Sequence, residues 1–185
     1  MKKNIRKMLI GILFSLALIF MMVTMHQFSK ENSEISNHRS EGIMELIQNK
    51  IQKPLERTPE GYYLSEKIQD VVVRYSPYGN DWNSNVRKFA HFGLYMLLAI
   101  ILYFVLSMFN IKYLPRIGWT LLICFIFAFF DEYTQVFRNR TASFHDVLLD
   151  FSGAFCGMSF AVLVNMFKIS IQYMIYKIEQ YYQSY

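Results

Sequence analysis

From Met8 to Ser29 the chain carries no Asp, Glu, Lys or Arg. At about 1.5 Å per residue, a helix of that length crosses the roughly 30 Å hydrocarbon layer of a bilayer, and a soluble core helix rarely needs it. Three further apolar runs follow, Phe89 to Phe109, Ile117 to Phe130 and Val147 to Phe167. The third is short, but Trp119 near one end and Tyr133, Thr134 and Gln135 beyond the other extend it to a full crossing. Across the 185 residues, 19 basic and 14 acidic side chains fall mostly between these runs, with Asp150 as an exception inside the last. The expected fold is an all-α integral membrane protein of about four transmembrane helices, with an exported, partly helical first loop.

Lys2, Lys3, Arg6 and Lys7 precede the first run, as in the n-region of a signal peptide. The run is longer than an h-region and Met25-His26-Gln27-Phe28 lacks a small-x-small cleavage pattern, so an uncleaved signal anchor is expected. Cys124 and Cys156 both fall within predicted spans and read as packing residues; no exported disulfide framework is implied.

Charge partition predicts the topology. Residues 1–7, 110–116 and 168–185 together hold eight basic residues and one acid, Glu179. Residues 29–88 balance nine against nine, and residues 131–146 hold Asp131, Glu132 and Asp146 against Arg138 and Arg140. The positive-inside rule then places both termini in the cytoplasm and exports residues 29–88 and 131–146. The pI near 9.1 is mostly this topological signal, and nucleic-acid binding is not the reading it favours. The chain divides into a cytoplasmic N-terminus and anchor helix (1–28), an exported loop (29–83), a three-helix membrane core (84–167) and a cytoplasmic tail (168–185) rich in Tyr.

In the loop, Ser40 precedes Ile43, Leu46, Ile47 and Ile51 at helical spacing, and Pro54 is expected to end that helix. Thr58-Pro59-Glu60-Gly61 reads as a turn, Ser65 as the cap of a second amphipathic helix using Ile68, Val71, Val72 and Tyr75, and Ser76-Pro77-Tyr78-Gly79 as its stop. These faces suit the outer leaflet, a cover for the bundle, or a plain solvated connection.

Topology brings the polar residues together. The second membrane helix, capped by Asn83 or Ser84, carries Arg87, Lys88, His91 and Tyr95 on one broad face. The third ends in Asp131, Glu132, Gln135 and Arg138, and the fourth begins with Asp146 and Asp150 above Gly153 and Gly157. That Gly-x-x-x-Gly spacing lets a neighbouring helix backbone approach closely. Ionisable groups at membrane depth are costly and usually face a bundle interior, paired with one another. Singly, each charge is equally well a salt-bridged helix end, and His91 alone is more often a satisfied polar residue than a catalyst. His145 sits on another face, and His26 and His38 have no supporting pattern. Taken as a set, three helices deliver His, Gln and four acids to one end of a glycine seam.

Arg87-Lys88-Phe89-Ala90-His91-Phe92-Gly93-Leu94-Tyr95, Asp131-Glu132-Tyr133-Thr134-Gln135, and Arg140 followed by Asp146-Val147-Leu148-Leu149-Asp150 and Gly153 resemble the VanZ-like family in order, spacing and helix context. The resemblance covers residues 84–165; the first helix and the loop are outside it. It implies a small bacterial envelope membrane protein related to one associated with resistance to teicoplanin, which acts on cell-wall precursors. Many relatives have Asn where this chain has Asp150. The expected partners are membrane lipids and a lipid-linked cell-wall component or the glycopeptide itself, engaged by the outward cluster Arg87, Lys88, His91, Tyr95, Asp131, Glu132, Gln135, Arg140, Asp146 and Asp150.

Whether such a site is catalytic stays open. Carboxylates with His91 could act as acid and base, and Arg87, Lys88 and Arg140 could hold a phosphate or pyrophosphate. Thr141, Ser143 and Ser152 lack a general-base partner as nucleophiles. No cofactor is implied, and no close His or Cys pair marks a metal. A non-catalytic scaffold or partner protein is the alternative, and a small transporter a weaker one, since the charges gather at one end only.

Overall fold

The computed structural model describes residues 2–31, 33–76, 78–136 and 143–183. Its elements are α1 (Lys2–Ser29), α2 (Ser33–Ile47), a π turn (Gln48–Gln52), α3 (Lys53–Leu55), α4 (Pro59–Tyr75), α5 (Trp82–Met108), α6 (Tyr113–Val136) and α7 (Phe144–Gln183). Four helices, α1, α5, α6 and α7, are long and apolar enough to cross a membrane. The all-α membrane architecture is therefore as expected, but every span after the first is longer than its apolar run. α6 covers Asp131–Gln135 and α7 begins before Asp146, so most of the segment 131–146 is helix rather than loop. At the far end, α7 does not stop at Phe167; the tail continues it to Gln183.

α5 is the hub. It packs most extensively against α7 and also meets α1, α2 and α6. Each spanning helix buries one stripe: Tyr95, Leu98, Ala99 and Leu102 of α5, Thr120, Cys124 and Ala128 of α6, Ala154, Met158 and Ala161 of α7, and Leu18 and Met25 of α1. The opposite faces are large and apolar, with Phe20, Leu114, Leu163 and Phe167 more than half exposed, as lipid-facing helices require. Cys124 is buried, whereas Cys156 is exposed on α7 and so is not a packing residue; neither forms a disulfide.

The seam between α5 and α7 has a specific cause. A Cβ on Gly153 would collide with the Phe92 carbonyl, and one on Gly157 with the Met96 carbonyl. Phe92 and Met96 are one helical turn apart, as are the two glycines, so two successive turns of α7 lie directly on the α5 backbone.

The connecting segment departs from the sequence reading at its boundaries. α2 begins at Ser33, and Ser40 lies inside it, its hydroxyl within hydrogen-bond distance of the Ser36 and Asn37 carbonyls and of Asn83 Oδ1. Pro54 does not end the helix. The preceding π turn, closed by Lys53 N–H to the Gln48 carbonyl, widens the backbone where the ring would otherwise clash with the carbonyl four residues earlier. Thr58-Pro59-Glu60-Gly61 is the start of α4 rather than a turn. Thr58 caps it by accepting from Gly61 N–H, with Pro59 at the first helical position. Ser65 is buried within α4 and donates to Glu56, whose carboxyl is held below its usual range by Gln52 and Ser65. α5 is capped by Asp81, not by Asn83 or Ser84; the Ser84 amide and hydroxyl donate to it and keep its carboxyl ionised to lower pH than usual. α2 lies against α5, while Tyr62, Tyr63, Leu64, Ile68 and Tyr75 of α4 are exposed.

Candidate functional site

All four buried stripes turn polar at the same end of the bundle. Along α6, Thr120, Cys124 and Ala128 give way to Asp131 and Gln135 at the same helical spacing. Along α7, Ala161, Gly157 and Gly153 lead up to Asp150 and Asp146, and along α5 the buried Leu98 and Tyr95 lead up to Lys88 and Asn85. The fourth stripe was not foreseen: α1 ends in His26 and a buried Ser29.

Four sets of contacts hold this end together. Asp131 accepts from Ser29 Oγ and lies 3.2 Å from His26 Nδ1, joining α6 to α1. Asp146 forms an ion pair with Lys88 at 2.5 Å and accepts from the Tyr78 hydroxyl at 2.6 Å, joining α7 to α5 and to the turn before it. Asp150 lies 3.7 Å from His91 Nδ1, one turn deeper on the same two helices. Glu132 accepts from Gln135 at 2.7 Å and from the Ser143 backbone N–H at 3.2 Å, bridging the ends of α6 and α7. Asp131, Glu132, Gln135, Asp146 and Asp150 are all buried, and each carboxylate has at least one partner. Burial and the bond to Asp146 push the Tyr78 phenol above its ordinary pKa, so it stays a donor.

The structure thus brings together Lys88, His91, Asp131, Glu132, Gln135, Asp146 and Asp150. Tyr95 lies below them, fully buried against Phe127, and its hydroxyl has no hydrogen-bond partner among the described residues. Arg87 is half-buried at the margin, and no described carboxylate lies within ion-pair distance of it. Arg138, Arg140 and Thr141 lie outside the described residues. His145 and His38 are exposed. The reading of His26 as unsupported is corrected by its contact with Asp131. No local pattern marks it; the signal was topological, since the end of the first span must reach the same bilayer face as Asp131. Tyr78, in the sequence part of a helix stop, also belongs to the site through its bond to Asp146.

Chemically, the site offers carboxylates beside imidazoles and a lysine, in a low-dielectric setting where charge-assisted hydrogen bonds are strong. Among the described residues no three His, Cys, Asp or Glu side chains converge in a metal-ligating group.

The chain matches no curated protein and no solved structure. Residues 12–165 match the VanZ/LLP1 family. The match takes in most of α1 and the whole connecting segment, which the motifs on α5 to α7 had not covered. With the match extending across all four spanning helices and the polar end they share, the chain belongs to the VanZ/LLP1 family of multi-pass membrane proteins.

Proposed function

We propose that this protein acts in the bacterial cell envelope, contributing to resistance to teicoplanin or related lipoglycopeptides. Its polar end would face outward and bind or modify a lipid-linked envelope component or the antibiotic. The single observation that carries this reading is the convergence of buried polar residues from four spanning helices at one end of the bundle, around Asp131 and Asp146. Buried charge at membrane depth is expensive and marks functional sites by default. Family membership supports the envelope setting, and the excess of Lys and Arg at the opposite end supports the outward orientation.

The test is genetic. Deletion should lower teicoplanin tolerance and wild-type protein should restore it, whereas an Asp131→Asn, Glu132→Gln double variant that accumulates normally should not. Equal restoration by that variant would remove the cluster from the mechanism.

The scaffold reading is favoured by a different observation: each buried carboxylate already has a partner on the chain, so the network also works as a latch between helices. Turnover separates the two. Protein reconstituted with a total envelope lipid extract converts a lipid, seen as a mass change, if it is an enzyme, and leaves every lipid unchanged if it is a scaffold or a binder.

A further inference from the structure

Beside the carboxylate network, α1, α2 and α5 enclose a recess of about 80 Å³. That is room for several waters or a group the size of a phosphate. Its wall is divided by chemistry. Arg39, Arg87 and His91 supply its ionisable groups, and Met25, Phe28 and Leu94 lie on its apolar part.

The charge balance there is uneven. Arg39 pairs with Glu31 at 2.7 Å and lies 4.3 Å over the Phe28 ring, which fixes the plane of its guanidinium while leaving 42% of its side chain open. His91 faces Asp150 through Nδ1 and is 20% open. Arg87 is half-buried and forms no ion pair with any described carboxylate, although every acidic residue of the chain lies in a described segment. The Asp81 carboxylate feels the Arg87 charge without pairing with it, and a half-buried guanidinium outside any ion pair among the described residues is one that a bound anion would stabilise. Two guanidinium groups and an imidazole around a recess of this size suit a phosphate, which Arg engages through paired N–H donors.

We propose that this recess binds the phosphate of a membrane lipid, with Arg87 and Arg39 as its cationic ligands, His91 as a further donor, and Met25, Phe28 and Leu94 against the start of the hydrocarbon chain. The apolar wall and the position between two spanning helices select a lipid-borne phosphate over a free one. The inference rests on the reading of the polar end as a ligand-binding end, and names the chemistry it would recognise there.

The full-length protein in mild detergent is titrated with dioleoyl phosphatidic acid and, separately, with dioleoylglycerol, and occupancy is read by native mass spectrometry. Phosphatidic acid should bind at least tenfold more tightly than dioleoylglycerol. Arg87→Gln and Arg39→Gln should each lose at least tenfold, Arg87→Lys should recover part of the loss, and Arg74→Gln, on the exposed side of α4, should bind as wild type. Arg39 sits on the peripheral α2, so its variant keeps the test valid if Arg87→Gln fails to fold by circular dichroism. Equal binding of the two lipids, or undiminished binding by Arg39→Gln, overturns the proposal. Displacement by equimolar inorganic phosphate assigns the recess to free phosphate and overturns the lipid assignment. Lipid binding that fails while the Asp131 and Glu132 pair still governs teicoplanin tolerance overturns the recess alone. Binding that holds while tolerance ignores that pair leaves the recess and removes the wider function.

Discussion

Lys88 and Asp146 stand 2.5 Å apart with 11% of each side chain open to solvent. At that burial, what matters is less the attraction between them than the charge left behind when one is removed, which costs about 3–5 kcal/mol. Lys88→Met alone should therefore destabilise strongly in an SDS titration of the micellar protein. Adding Asp146→Asn should recover most of the loss, because the amide keeps an oxygen for the Tyr78 hydroxyl and carries no charge. Equal loss in the single and double variants would mean the pair is not coupled. Tyr95 makes the opposite case. Its hydroxyl is buried without a partner among the described residues, and such a group costs about 1–3 kcal/mol. Tyr95→Phe should be neutral or stabilising in the same titration; a clear loss would show that the hydroxyl has a polar partner.

Between elements, the α5–α7 seam depends on two missing methyl groups. Gly153→Ala or Gly157→Ala must push α7 off the Phe92 or Met96 carbonyl, an overpacking worth about 1–3 kcal/mol. Gly93 on α5 has nothing within 4 Å of where its Cβ would be. Gly93→Ala should gain up to about 1 kcal/mol from helix propensity alone. The contrast, measured by SDS titration, isolates packing from propensity; equal effects at Gly93 and Gly153 would dismiss the seam. The glycine spacing was legible in the sequence, because a four-residue period on a helix is a geometric statement. Helix starts were less so. In Asp81-Trp82-Asn83-Ser84 three residues are competent caps, and only the direction of the incoming chain selects Asp81. Pro54 misled for a related reason: the rule that it breaks a helix assumes an α turn before it, and a π turn removes the clash.

For the molecule as a whole, span number and the convergence of the cluster could be read from hydropathy and order along the chain, since consecutive spans must alternate direction. What that reading lacked was α1. His26 and Ser29 belong to the polar end by topology, but no spacing with Asp131 exists to be noticed across more than a hundred residues. One residue beside the polar end and one at the far end of α7 give the decisive test of orientation. The helix runs 40 residues, about 60 Å and twice the hydrocarbon thickness. Asp146 begins it in the polar cluster, and Gln180 therefore lies beyond the far face of the bilayer. With Cys124 and Cys156 replaced by Ala and Ser, Arg74→Cys on exposed α4 should react with an impermeant maleimide in intact cells. Gln180→Cys should react only after lysis. The reverse pattern would put the polar end in the cytoplasm, where it could not meet teicoplanin or an exported precursor, and the lysine and arginine excess at the other end would then need a cause other than topology.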